Sequence, residues 1–164
     1  MVVMIDMKYK IKPKLKDRIT KDRFTLGLVS GVIAAIGMTL LNFIFIFTTS
    51  ANNLFADFVG IMLFGSKPNS LGETIIALIA HIFLGGILGV VFVYLLLFIN
   101  EKNLIIKGIS YGTLIFFSMF SLGVIFEISG LDHSVARTVL TKGIGSAFYG
   151  FVLAYILLLL RVKN

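Results

Sequence analysis

The sequence predicts an all-α fold, a polytopic transmembrane four-helix bundle with a short interfacial or re-entrant helix between spans 1 and 2. Three observations carry that expectation. Four apolar runs are each long enough to cross a hydrocarbon core of about 30 Å at 1.5 Å of rise per residue. The connections between them are polar and mostly short. The chain is 58% hydrophobic and 14% charged, with a mean hydropathy of +1.02. A soluble domain is about 45–50% apolar and about 25% charged.

Residues 1–23 form a basic juxtamembrane arm, and residues 24–164 a single four-span domain with spans at about 24–49, 71–99, 104–129 and 139–160. The arm carries Lys12, Lys14, Lys16, Arg18, Lys21 and Arg23 beside the first span. After Pro13, Asp17–Lys21 and Arg18–Asp22 stand at i,i+4, the pattern of a short amphipathic helix on the membrane surface. The net charge of +7 therefore reads as a topology signal and a contact with anionic lipid headgroups, and no nucleic-acid partner is expected. The apolar stretch that follows is too long for a signal-peptide core, so no cleavable signal is expected. With no cysteine there is no disulfide framework and no thiol chemistry.

Span 1 contains Gly27-x-x-x-Gly31, whose small residues let two helix backbones approach closely, and one amide, Asn42. Residues 54–64 are apolar but too short to cross. Gly65 supplies a helix stop, and Pro68 opens the turn into span 2. Ser70-Leu71-Gly72-Glu73 is a capping box, in which hydroxyl and carboxylate each satisfy a free backbone N–H at the helix start. Along span 2, Ala77, His81, Gly85 and Gly89 recur at steps of four on one side of the helix. The turn at 100–103 is tight, which makes spans 2 and 3 expected antiparallel neighbours. Span 3 opens with Gly108-x-x-x-Gly112. Span 4 carries Ser146-x-x-x-Gly150-x-x-x-Ala154.

Lysine and arginine concentrate in the arm, the 100–107 segment and the carboxy-terminal tail, which predicts cytoplasmic termini in a cell membrane. Counting back from the opposite ends of the spans places Asn42, His81, Ser118, Ser121, Ser146 and Tyr149 at similar depths, roughly 10–16 Å in. Polar groups in lipid cost several kcal/mol unless paired, so these six are expected to meet as a buried polar layer.

Catalysis is not expected. The acidic residues and histidines outside the spans (Glu73, Glu127, Asp132, His133) have no metal-ligand spacing, and Glu127 with Lys142 reads as an ion pair between connections. Ser146 lacks the glycine context of a nucleophile elbow, and there is no phosphate-binding loop. No metal or other cofactor is expected.

The segment FGSKPNSLGETIIALIAHIFLGGILGVVFVYLL, followed by a third span and AFYGFVLAYILL, resembles small four-span membrane proteins of spore-forming Firmicutes. The plan is similar to that of the YqhR-type membrane proteins, with a looser match of residues. The resemblance spans all four apolar runs and stops at the basic arm. It implies a bacterial cytoplasmic membrane and carries no activity with it. Two function classes follow from the sequence. One is a non-enzymatic scaffold or accessory subunit of a membrane assembly, its small-residue faces serving a second copy or a larger complex. The alternative is a small transporter or channel-like protein that uses the polar layer around His81.

Overall fold

The structure, a computed structural model, describes residues 22–49, 55–99, 102–125 and 136–161. Its five helices are α1 Arg23–Thr49, α2 Phe55–Phe64, α3 Leu71–Leu95, α4 Leu104–Ile125 and α5 Ala136–Arg161. The four longer ones are each long and apolar enough to cross a membrane, and α2 is the short helix expected between the first two. Lys12, Lys14, Lys16, Arg18 and Lys21, and with them the amphipathic arm, lie outside the described residues, as do Glu127, Asp132 and His133.

Local chemistry sets where the helices begin and end. Asp22 stands at the N-cap of α1. Its carboxylate accepts from the backbone N–H of Phe24 at 3.1 Å and of Thr25 at 3.2 Å, and from the Thr25 hydroxyl. Ser70 caps α3 in an extended conformation, accepting from the Glu73 N–H at 3.2 Å. The Glu73 carboxylate reaches back one residue further than the capping box requires, to the Asn69 N–H at 2.7 Å. Gly65 ends α2 at φ 73°, a left-handed conformation that a side chain would strain. The regular part of α3 ends at Leu95, short of the expected 99, and tightens into turns through Ile99.

Glycine contacts decide which helices touch. A methyl group on Gly27 would fall 2.6 Å from the Val90 Cα, one on Gly31 would strike the Gly85 carbonyl, and one on Gly89 would lie 2.6 Å from the Gly31 Cα. These contacts lock α1 against α3. Gly108 and Gly112 likewise press on the α5 backbone at Gly150 and Ser146, and Gly150 presses back on Gly108. The two pairs join along α1 and α5, so the helices run α3–α1–α5–α4 around the bundle, and Ala34, Ala35, Leu153, Ala154 and Leu157 are buried in the common core.

The ring is open on its fourth side. The tight turn at 100–103 had made α3 and α4 expected neighbours, yet they do not pack as a principal pair. Their glycine faces are turned toward α1 and α5. What links them is Tyr111, whose hydroxyl donates to the Leu88 carbonyl at 2.8 Å and whose ring lies 4.9 Å from that of Phe92. A groove of about 510 Å³ separates the rest, lined by Leu84, Leu88, Leu114, Ser118, Met119 and Leu122 and reached by Phe58 and Met62 of α2.

The outward faces are apolar. Phe47, Leu71, Ile79, Phe83, Ile106 and Phe117 are all well exposed, a distribution that water disfavours and hydrocarbon accepts. Four such helices define an integral, multi-pass membrane protein.

Candidate functional site

Polar side chains converge at the end of the bundle where α2 sits. The first six residues of α2, Phe55 to Gly60, are buried, and the helix packs on α3. Gly60 makes this possible, since a methyl group there would strike the Pro68 ring. Phe55 is the tip of this plug. Its ring stacks on His81 with centroids 6.0 Å apart, and the Lys142 Nζ stands 5.5 Å from the ring centre. The Cβ position of Gly145 lies 3.3 Å from Phe55 Cε2 and 3.8 Å from both amide atoms of Asn42. Asn42, His81, Lys142 and Ser146 are thus gathered from α1, α3 and α5, each buried.

Beneath Phe55 lies a chamber of about 30 Å³, bounded by His81, Ser146, Tyr149, Gly85, Met38 and Met119 among others. That volume has room for a water molecule. Tyr149 closes one wall by donating to the Gly85 carbonyl at 2.6 Å. His81 Nε2 and Asn42 Nδ2 are buried and have no hydrogen-bond partner among the described residues. A buried polar atom left so costs about 1–3 kcal/mol, which makes these two the energetic anomalies of the site.

The expected six-residue layer is therefore brought together in part. Asn42, His81, Ser146 and Tyr149 meet around Phe55. Ser118 and Ser121 do not: both are exposed, and Ser118 lines the open groove between α3 and α4. The inward residues of that helix are Gly108, Tyr111, Gly112 and Phe116. At 100° per residue, Ser121 falls about 180° around the helix from Gly112, whereas Ser118 lies within about 20° of Tyr111, on the side that faces the groove.

Two residues of the site were not foreseen. Lys142 was assigned to a connection, yet it lies inside α5 and is 3% exposed. A signal for this was present, since Lys142 precedes Ser146 by four residues and so continues the Ser146–Gly150–Ala154 stripe inward. Phe55 had no local signal, because its place depends on how α2 folds back on α3. The neighbouring carboxylate, Asp57, is itself buried and pairs with Lys67 at 3.3 Å.

Comparison with protein-family models, with characterised proteins and with solved structures returned no match to this chain.

Proposed function

We propose that the protein is a non-enzymatic scaffold or accessory subunit of a membrane assembly, and that the outer face of α4 is where it docks. One observation carries the reading. Of the four spans, α4 is the least apolar and the least buried, and its hydroxyls at Ser110, Ser118 and Ser121 are exposed, Ser118 at the mouth of the groove beside α3. Hydroxyls on a lipid-crossing helix serve as hydrogen-bonding glue between helices, at about 1 kcal/mol each. The occupant is a transmembrane helix of a partner protein that supplies matching polar groups. The packing glycines do not support a second copy as partner, since they meet backbone or side-chain atoms of this chain.

The basic arm and the lysines at 102 and 107 support a cytoplasmic location for both termini. The resemblance to four-span proteins of Firmicutes supports the bacterial cytoplasmic membrane.

The absence of native cysteine makes the test direct. Single-cysteine variants S118C and S121C, labelled in native membranes with a lipid-soluble maleimide–benzophenone reagent and irradiated, are expected to give one defined adduct heavier than the chain. I79C and F83C, on the exposed face of α3, are expected to give none. Equal yields from both faces would contradict the reading, and an adduct joining two differently tagged copies would replace the partner with a second copy.

A further inference from the structure

The groove of about 510 Å³ between α3 and α4 follows from where the glycines lie. The close-packing faces of both helices are turned to α1 and α5, so α3 and α4 meet each other through larger side chains and stand apart. Tyr111, bonded to the Leu88 carbonyl at 2.8 Å, bounds the groove toward one membrane surface, and Phe58 and Met62 of α2 border it toward the other. Between them the wall is Leu84 and Leu88 on α3 with Ile115 and Met119 on α4, and none of the lining residues is charged.

The groove is too narrow to seat a helix. From Tyr111 to Leu122, α4 rises about 16 Å, or three turns. A helix about 10–12 Å across fills roughly 400–600 Å³ in each turn, so the groove has about one turn's volume drawn out along three. That length is close to the depth of one leaflet, about 15 Å of a 30 Å hydrocarbon core. The rim is continuous with the lipid-facing surface, since Met62, Leu114 and Leu122 are exposed. A slender apolar chain enters from the surrounding hydrocarbon without losing water, and gains contact with three helices at once.

From these dimensions we propose that the groove holds one acyl chain of a bilayer phospholipid, drawn from the leaflet on the α2 side. Its headgroup rests at the interface beside α2, and its methyl end stops against Tyr111. The hydrocarbon chain forms the fourth side of the bundle, which α3 and α4 leave open between them. Chains much shorter than the leaflet's depth leave the Tyr111 end of the wall uncovered, so the site selects by chain length. The proposal goes beyond the docking face. Ser110 and Ser121 stand about 120–180° around α4 from Ile115 and Met119, so lipid and partner helix take different sides.

The test is native mass spectrometry of the full chain, purified in detergent and titrated with dioleoyl phosphatidylcholine. One lipid per chain is expected to stay bound, saturably, under collisional activation that strips the rest. Dihexanoyl phosphatidylcholine, with the same headgroup and short chains, is expected to leave with the detergent. L84W sets an indole in the groove and is expected to weaken retention roughly tenfold or more, while F83W, on the exposed face of α3, leaves it unchanged. Circular dichroism checks the fold, and should L84W not fold, L114W on the groove's rim serves instead. A wild type that keeps no lipid, or keeps the short-chain lipid as readily, would overturn the proposal. So would a folded groove variant that retains lipid as F83W does, and if that variant also loses the S121C adduct, the groove belongs to the partner helix instead.

Discussion

The Tyr149 hydroxyl of α5 donates a 2.6 Å hydrogen bond to the Gly85 carbonyl of α3, across the middle of the bundle. Gly85 itself is required by α1, since a methyl group there would lie 2.5 Å from the Ala35 Cβ, while Tyr149 Cε2 would stand at an ordinary contact distance of 3.6 Å. Three residues along the same helix, Leu88 accepts from Tyr111 of α4. Two tyrosines from the α4–α5 pair thus hold α3, each through one carbonyl.

Removing either hydroxyl while keeping the ring is expected to cost stability without changing the fold. Tyr149→Phe and Tyr111→Phe each lose about 0.5–1.5 kcal/mol, the net worth of a hydrogen bond. Reversible unfolding in mixed micelles measures this. The loss in Tyr111→Phe should come with greater separation of α3 and α4, because this residue is their main link.

Glycines are expected to divide by what surrounds them. Gly31→Ala and Gly112→Ala drive a methyl group into the backbones of α3 and α5, so losses of about 1–3 kcal/mol or more follow from overpacking. Gly65→Ala meets open space but carries a φ of 73°, so its cost is about 1–2 kcal/mol of backbone strain. Gly72→Ala has neither problem, its nearest neighbour being the Ser70 Oγ at 4.0 Å, and is expected to be neutral or better. Equal losses at all four positions would contradict the packing described above.

These two predictions show how unevenly the sequence reveals the fold. The spans, the Ser70–Glu73 cap and the glycine stripes were legible because each is a local property: length of an apolar run, or small residues at four-residue spacing. Which way a helix faces is different. A span apolar all round carries little rotational information in its hydropathy, so depth alone grouped Ser118 and Ser121 with His81. The glycine stripe of α4 held the missing angle and turns both serines away from α5, Ser118 to the groove beside α3 and Ser121 to the far side. Lys142 was misplaced for a related reason. Charge near a span end suggests a connection, although its spacing from Ser146 puts it on the buried face. Phe55 and the open side between α3 and α4 arise only from tertiary packing, and no short pattern encodes them.

His81→Leu keeps much of the side-chain volume and removes an unpartnered nitrogen, so unfolding experiments are expected to find it neutral or stabilising. Phe55→Ala, which takes away the ring between His81 and Lys142, is expected to lose about 3–5 kcal/mol. A strongly destabilised His81→Leu would mean that the imidazole makes a contact this structure does not contain.

Asp22 gives a pH dependence confined to the start of α1. Its carboxyl is held below its ordinary range, chiefly by the Thr25 hydroxyl with the Thr25 and Phe24 N–H groups adding to it. A group with a depressed folded pKa stabilises above its unfolded value and loses that contribution as pH falls through the folded value. Hydrogen exchange at Phe24 and Thr25 should therefore show less protection on acidification below the usual carboxylate range. Asp22→Asn keeps a capping side chain and should remove that dependence, while Asp22→Ala should fray the first turn at every pH.

The central claim is that the outward hydroxyls of α4 meet a partner helix. The most direct measurement is the size of the particle extracted from native membranes in mild detergent, wild type against the S118L/S121L double variant. The chain alone has a mass of 18.1 kDa. The account predicts that the wild type migrates in a larger, defined complex and that the double variant migrates as the lone chain with its helical content intact. A wild type that migrates alone, or a double variant that stays in the complex, would contradict it.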